Sequence, residues 1–268
     1  MSAMQRIFFW NSDPTVSLDV YLPDNGENLP SAVILPGGAY FALSDREGGE
    51  VAEYFCNRGF ASFVLRYSTM HPSFAEPDSP INPHTVFPEP LHEIAAALKH
   101  IRANAEIFKI NPDRIALMGF SAGGHLAANY CNEWNKEEIC AAVDAEAEEI
   151  KPNAGILCYA ATKLHRASKT MNRAVFGQMD SHSDQQLKRW SAANNVNSAT
   201  PPTFLWHCNT DAMVPVAQSY QMAEALSDAG IMHELHVFAI GDHASGLSEG
   251  MSASLWKDLA INFLNNLK

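Results

Sequence analysis

Residues Gly119-Phe120-Ser121-Ala122-Gly123 form a G-x-S-x-G pentapeptide whose serine can act as a nucleophile. The apolar run Arg114–Met118 before it predicts a strand, and the run Gly124–Tyr130 after it is compatible with a helix. A serine on a sharp strand-to-helix turn holds its hydroxyl clear of the sheet, where an ester carbonyl can reach it. The helix N-terminus adds free N–H groups and partial positive charge, which stabilise an oxyanion. We therefore expect Ser121 to be a nucleophile, and a chance match in a Gly/Ser loop is the alternative.

A serine nucleophile at neutral pH needs a general base, and the base needs an acid that orients it. In hydrolases of this kind both lie on loops at the carboxyl ends of strands, in the chain order serine, acid, histidine. Asp211 is the only carboxylate in the loop after the predicted strand Thr203–His207. His243 follows the last predicted strand, Glu234–Ala239. The order and the placement predict a triad of Ser121, Asp211 and His243.

The chain has 11 histidines, so the alternatives to this triad need reasons. His125 lies on the helix after the serine, on the wrong side of the chain order. His207 ends the strand before the predicted acid, and we interpret it as a structural polar residue. Asp242 is the alternative acid, but it is adjacent to His243, and an adjacent carboxylate rarely orients its own neighbour's imidazole.

A tetrahedral transition state also needs hydrogen-bond donors for its oxyanion, and the loss of one donor typically costs about 100- to 1000-fold in rate. One predicted donor is the backbone N–H of Ala122, the residue after the nucleophile. Gly37 and Gly38 follow the predicted strand Ser31–Leu35 and are the candidates for the other, because glycines allow a close backbone approach. The alternative is that these glycines only form a tight turn.

Short apolar runs alternate with longer helical patterns, which is typical of a mostly parallel sheet with helices on both faces. The turn signal at residues 11–14 separates the first two strands, which should form an antiparallel edge. We expect an α/β fold of about eight strands in a single domain, 1–268. The predicted strands are Gln5–Trp10, Val16–Tyr21, Ser31–Leu35, Phe60–Arg66, Arg114–Met118, Gly155–Ala160, Thr203–His207 and Glu234–Ala239, and the main predicted helices are Glu47–Arg58, Leu91–Phe108, Val216–Ala229 and Ser252–Leu267.

Three segments lack a regular pattern. Ser68–Pro90 contains six prolines, and we predict a substrate-pocket wall there rather than disorder. Thr162–Thr200 is polar with isolated large apolar residues, and we predict a small helical cap. Lys136–Lys151 is rich in carboxylates, which favours a solvated surface excursion over a metal site.

Composition excludes several function classes. The net charge of −12, from 18 Lys and Arg against 30 Asp and Glu, argues against nucleic acid or an anionic membrane as a partner. Five scattered cysteines without a C-x-x-C motif favour free thiols over a disulfide scaffold or a zinc site. We see no signal-peptide pattern and no apolar run of about 18 residues, so we expect a cytoplasmic protein. For the oligomeric state, a homodimer stays open.

Several segments together resemble a known family. They are Ile34 to Tyr40, Arg46-Glu47-Gly48, Val64 to Ser68, Pro88 to Leu91, Asn111 to Ile115, Gly119 to Ala127, Pro201 to His207 and Glu234 to Phe238. Taken in order, they resemble α/β-hydrolase esterases of the bacterial acetyl-esterase and xylan-acetylesterase-like group. The chain departs from that family's pattern at Ala39, where a third glycine is typical, and at Ala244, where glycine usually follows the histidine.

The resemblance implies the α/β-hydrolase fold, and its triad falls on the same Ser121, Asp211 and His243. It implies oxyanion donors at Gly38, Gly37 and Ala122, and it requires no metal or organic cofactor. We expect a serine carboxylesterase acting on small acyl esters, with acetyl groups on a carbohydrate as the preferred case. The alternatives are a serine peptidase on the same fold and a hydrolase-fold binding protein that has lost catalysis.

Overall fold

The computed structural model describes residues 5–10, 15–177 and 182–267. The predicted turn at 11–14 lies outside the described residues, and so does the part of the predicted cap at 178–181. Within the described ranges, no helix combines the length and the apolar character that a bilayer crossing requires.

The described residues form an eight-stranded sheet of order β1-β2-β4-β3-β5-β6-β7-β8. β1 and β2 pair in antiparallel fashion, as does β2 with β4, and the other neighbours are parallel. The strands are β1 Gln5–Phe8, β2 Ser17–Tyr21, β3 Leu29–Leu35, β4 Ala61–Arg66, β5 Ile110–Phe120, β6 Ala154–Cys158, β7 Thr203–Cys208 and β8 His233–Phe238. The predicted α/β class, the strand number and the antiparallel edge are confirmed.

Helices cover both faces of this sheet. They are α1 Gly49–Cys56, α2 Glu89–Ala103, α3 Ala105–Phe108, α4 Ser121–Glu133, α5 Glu137–Ala142, α6 Lys169–Phe176, α7 Asp184–Arg189, α8 Ala217–Asp228 and α9 Trp256–Asn266. The prediction of one helix over 91–108 was wrong, because the chain leaves helical geometry at Asn104. There φ is −107°, and the side-chain Nδ2 donates to the carbonyl of His100 at 2.8 Å, which ends α2.

Side chains alternate between two cores, one on each face of the sheet. Val33 and Leu35 of β3 join the first core, whereas Ala32 and Ile34 join the second, as expected for a strand buried on both faces. The second core contains Trp206, whose ring stacks on an aromatic ring of α9, Trp256, with centroids 5.2 Å apart. This double burial fixes the strand register, so the strand ends are held at one edge of the sheet.

The irregular segments lie over that carboxyl edge or on the surface. The proline-rich segment 68–90 is tied to the loop after β3, since the N–H groups of Met70 and His71 donate to the carbonyls of Tyr40 and Phe41 at 2.9 Å. In the predicted cap, Arg189 of α7 donates to Glu133 of α4 at 2.9 Å, and Asn132 of α4 donates to the carbonyl of Ala192 at 2.9 Å. The six carboxylates of 136–151 are all exposed, which agrees with a solvated surface.

Candidate active site

Ser121 lies at a junction without any intervening loop. β5 ends at Phe120 and α4 begins at Ser121, whose φ of +51° turns the chain sharply. A Cβ on Gly123 would lie 2.2 Å from the carbonyl oxygen of Leu35, so glycine is needed for α4 to approach the end of β3 this closely. The predicted strand-to-helix elbow is therefore present. The strand is longer than predicted at both ends, since it covers Ile110–Phe120.

The structure brings the three predicted catalytic side chains into one hydrogen-bonded row. Ser121 Oγ lies 2.7 Å from His243 Nε2, and His243 Nδ1 lies 2.7 Å from Asp211 Oδ2. The three residues follow β5, β8 and β7 respectively, which meet at the carboxyl edge of the sheet. The side chain of His243 is only 6% exposed and that of Asp211 only 1%, so water competes little for these bonds.

Asp211 is surrounded by hydrogen-bond donors. Its Oδ1 accepts from the N–H groups of Met213 and Val214, both at 2.9 Å, and its Oδ2 also lies 3.2 Å from His207 Nε2. Burial alone would raise the pKa of Asp211, but hydrogen bonds from His207, His243 and Val214 outweigh it and hold the pKa far below the ordinary value of 3.8. Asp211 is therefore a carboxylate at neutral pH.

The ionised acid determines the tautomer of the base. A carboxylate only accepts hydrogen bonds, so His243 carries its proton on Nδ1 and presents the Nε2 lone pair to the hydroxyl of Ser121. This is the arrangement in which an imidazole can take the serine proton. His207 is buried, and its Nδ1 lies 2.8 Å from the hydroxyl of Ser219. These contacts agree with the structural role predicted for His207.

The turn after β3 lies directly beside Ser121, since a Cβ on Gly37 would lie 2.9 Å from the Ser121 Cβ. Gly38 has a φ of +126°, and a Cβ there would lie 1.8 Å from the carbonyl oxygen of Ala42, so this position requires glycine. The N–H of Gly37 donates to Glu47 Oε2 at 2.8 Å, which engages one of the predicted oxyanion donors. Ala122 is the second residue of α4, so its N–H has no acceptor within that helix. Of the three predicted oxyanion donors, Gly38 and Ala122 therefore remain the candidates.

Glu47 is buried at 0% exposure and bridges two loops of the site. Besides Gly37, it accepts at Oε1 from the Tyr159 hydroxyl at 2.6 Å, and that hydroxyl accepts from the N–H of Gly246 at 3.0 Å. Burial raises the pKa of Glu47, and the hydrogen bonds from Tyr159 and Gly37 oppose that rise. We call Glu47, Tyr159 and Gly246 the Glu47 bridge. It connects the turn at Gly37 to the loop that carries His243.

Sequence reasoning missed the Glu47 bridge. The sequence pattern predicts Glu47 as the first residue of a helix, where an acidic residue is ordinary, and Tyr159 as part of a buried strand. In the structure, Tyr159 lies just beyond β6, and its ring meets the His243 ring edge-on with centroids 5.0 Å apart. The available signal was the segment Arg46-Glu47-Gly48, which contributed only to the family resemblance.

His125 is buried and neutral, and it holds the other side of the same turn. Its Nδ1 lies 2.7 Å from the Tyr40 hydroxyl, and its Nε2 lies 2.7 Å from the carbonyl of Trp190 in the cap segment. Burial lowers the pKa of His125 to about 4. Since both ring nitrogens are engaged within the protein, His125 is unsuited to act as the base for Ser121.

The two departures from the family pattern share one backbone feature. Ala39 has a φ of +56° and Ala244 a φ of +57°, both in the left-handed region that favours glycine. The chain thus keeps left-handed backbone beside His243 and beside the turn of Gly37 and Gly38, which we call the oxyanion turn after the role predicted for it. Each alanine adds a methyl group at the edge of the site.

A serine, an imidazole and a carboxylate in this geometry are suited to nucleophilic acyl transfer. Two backbone N–H groups beside the nucleophile, at Gly38 and Ala122, can stabilise a tetrahedral oxyanion. The described residues thus contain the groups required for a covalent acyl-enzyme route.

Comparisons with known proteins agree with this fold. The model of the BD-FAE family matches residues 18–226. The chain is 29% identical over 243 residues to endo-1,4-beta-xylanase B of Butyrivibrio fibrisolvens, covering 90% of this chain and 36% of that protein. It is 28% identical over 241 residues to the acetylxylan esterase of Xylanibacter ruminicola, covering 88% and 45%. The chain therefore spans less than half the length of these two relatives.

Solved structures match along nearly the whole chain. The acetyl ester-xyloside bifunctional hydrolase from Caldicellulosiruptor lactoaceticus superposes with a TM-score of 0.80 at 28% identity, covering 97% of this chain and 95% of that one. MGS-M1, an alpha/beta hydrolase enzyme from a Medee basin deep-sea metagenome library, gives a TM-score of 0.73 at 29% identity, covering 98% and 96%. These matches confirm the α/β-hydrolase fold.

Proposed function

Because the chain belongs to the BD-FAE family and resembles an acetylxylan esterase and an acetyl ester-xyloside hydrolase, we propose that it is a serine carboxylic-ester hydrolase that removes acetyl groups from a carbohydrate. The observation that carries the proposal is the row of two 2.7 Å contacts that joins Ser121, His243 and Asp211. The names of the relatives, an acetylxylan esterase and an acetyl ester-xyloside hydrolase, support acetyl as the acyl group and a sugar as the alcohol.

In the proposed mechanism, Ser121 Oγ attacks the ester carbonyl while His243 Nε2 takes its proton. Asp211 keeps the imidazole in the required tautomer and stabilises its positive charge. The N–H groups of Gly38 and Ala122 donate to the oxyanion of the tetrahedral intermediate. His243 then gives its proton to the leaving alcohol, and the acyl-enzyme remains. Water, deprotonated by His243, attacks the acyl-enzyme and releases the acid, and the proton returns to Ser121.

A covalent probe and a pair of substrates test the proposal. We expect a fluorophosphonate to label the protein at Ser121, identified by peptide mass spectrometry. We also expect hydrolysis of 4-nitrophenyl acetate without hydrolysis of aminoacyl 4-nitroanilides. Absence of label would contradict catalysis by Ser121, and preferential cleavage of the anilides would replace the esterase with a peptidase.

The Glu47 bridge should position the oxyanion turn. Replacing Glu47 with alanine leaves the Gly37 N–H and the Tyr159 hydroxyl without their acceptor. We expect kcat to fall by about 100-fold, comparable to the loss of one oxyanion donor, with KM little changed. The measurement is steady-state hydrolysis of an acetyl ester, together with the affinity for a trifluoromethyl ketone, which forms a tetrahedral adduct on the serine.

Glu50→Ala is the matched control, since Glu50 is exposed on α1 only three residues away. If Glu47 only stabilised the fold, the Glu47→Ala variant would have a lower melting temperature. Its affinity for the ketone would then weaken no more than its KM for the substrate rises. Unchanged kcat and ketone affinity in a folded Glu47→Ala variant would exclude the positioning role.

A further inference from the structure

An exposed aromatic ring lies next to the oxyanion turn, and neither the triad nor the Glu47 bridge uses it. Phe74 is 56% exposed, whereas many other large apolar side chains of the described residues are buried in the core. A Cβ on Gly38 would lie 3.2 Å from Phe74 Cζ, so the tip of the ring is in contact range of the proposed oxyanion donor. Phe74 therefore lies at the wall of the active site.

Two further rings continue this surface away from Gly38. Phe74 stacks on Phe41 with centroids 5.8 Å apart and an interplanar angle of 17°, and Phe41 packs on His71 at 4.5 Å. The N–H of His71 donates to the carbonyl of Phe41 at 2.9 Å, which fixes the proline-rich segment against the turn. We call Phe74, Phe41 and His71 the aromatic shelf.

The shelf ends at a cavity whose wall combines apolar and polar side chains. A cavity of about 560 Å³ contains His71 in its wall, and several other side chains of the wall can donate or accept hydrogen bonds. These are Thr15, Arg66, Thr69, Ser79, Asn82 and His84. The volume is within the range of small-molecule sites, which combine aromatic surface with a few polar groups.

The cavity and the nucleophile lie at the same edge of the sheet. Arg66 is the last residue of β4, and Ser121 directly follows β5, with only β3 between these two strands. Two strand spacings separate them by about 10 Å. A molecule whose ester carbonyl is at Ser121 can therefore extend over the shelf into the cavity.

The chemistry of this path fits a neutral sugar chain. The Asp19 carboxylate lies 3.7 Å from the guanidinium of Arg66 and also accepts two hydrogen bonds from Arg6, so it offsets part of the Arg66 charge. Aromatic faces bind apolar surface, such as the C–H face of a pyranose ring, while hydroxyl and imidazole groups bind the sugar hydroxyls. An anionic ligand would also meet the overall charge of −12.

We propose that the aromatic shelf and the cavity beside it form the alcohol-side subsite, which binds the sugar residues of a neutral acetylated oligosaccharide while its ester is at Ser121. This inference rests on the proposed esterase function, and it assigns to Phe74 a specificity-determining contact with the sugar. The acyl group itself lies on the other side of the scissile bond.

Kinetics with two esters test the subsite. Acetylated xylotriose is long enough to reach the shelf, whereas the alcohol part of ethyl acetate is too small. We expect Phe74→Ala to lower kcat/KM for acetylated xylotriose about tenfold more than for ethyl acetate, which corresponds to about 1.4 kcal/mol. Phe8→Ala is the matched control, because Phe8 is an exposed phenylalanine on β1. In this variant, the ratio of kcat/KM for acetylated xylotriose to kcat/KM for ethyl acetate should match that of the wild type.

Equal losses on both esters would mean that Phe74 only supports the Gly38 turn, and no loss on either would mean that it contacts no substrate. Both results would overturn the proposal.

Binding of unacetylated xylotriose, measured by calorimetry, tests the subsite independently of ester hydrolysis. We expect the wild type to bind it and Phe74→Ala to bind about tenfold more weakly. If no ester is hydrolysed, the esterase function fails, yet this binding still decides whether the subsite exists.

Discussion

Replacing Ser121 with alanine should reduce kcat on acetyl esters by about 10⁵-fold, the largest effect that we expect of any single substitution. Alanine lacks the oxygen that would form the acyl-enzyme, so only binding and the proposed oxyanion donors at Gly38 and Ala122 remain to accelerate direct attack by water. The measurement is kcat for 4-nitrophenyl acetate, with active-site titration to exclude traces of wild-type enzyme.

The fold should survive this substitution, because the described hydrogen bond that Ser121 Oγ makes is the one to His243. The melting temperature is therefore expected to match the wild type. Ser227→Ala is the control, since Ser227 is an exposed serine on α8 and its loss should leave kcat unchanged. A Ser121→Ala variant that retained a tenth of the activity would contradict the nucleophile assignment.

Replacing Asp211 with asparagine should reduce kcat by about 10⁴-fold with little change in KM. The asparagine oxygen can still accept from the N–H groups of Met213 and Val214, so the loop keeps its shape. Its amide nitrogen then faces His243 Nδ1, and a donor there favours the tautomer that carries the proton on Nε2. That tautomer cannot accept the proton of Ser121.

Asp242→Asn separates this effect from a general loss of negative charge near the imidazole. Asp242 is exposed and adjacent to His243, and it was the alternative acid in the sequence interpretation. We expect its asparagine variant to keep kcat within about twofold of the wild type. The acid would have to be reassigned if Asp242→Asn lost activity while Asp211→Asn retained it.

The positions of the triad could be predicted from the sequence because each of its residues has a local marker. Ser121 is enclosed by glycines between a strand and a helix, and Asp211 and His243 follow apolar runs that alternate with helical patterns. Parallel strand ends converge at one edge, so chain order alone places the three together. The structure brings them within hydrogen-bond distance, and their catalytic roles remain the proposal that the substitutions test.

Long-range partners of polar groups could not be predicted in the same way. The bond between Glu47 and Tyr159 joins residues 112 positions apart, and no periodicity links them. The same holds for the Gly37 N–H. Its position after β3 can be predicted from the sequence, but its acceptor, Glu47, cannot. Helix ends at positions such as Asn104 depend on individual side-chain hydrogen bonds, which a hydrophobic pattern does not report.

The distribution of the catalytic groups along the chain has a consequence for folding. Gly38 follows β3 early in the chain, whereas His243 follows β8, a strand at the end of the sheet that pairs with β7. Contacts between segments so far apart form only after a large loss of chain entropy. Esterase activity should therefore appear in refolding only once β8 has paired with β7, later than the signals of helix formation and collapse. The recovery of activity during refolding would thus measure the docking of β8 rather than the formation of the strand-to-helix turn at Ser121.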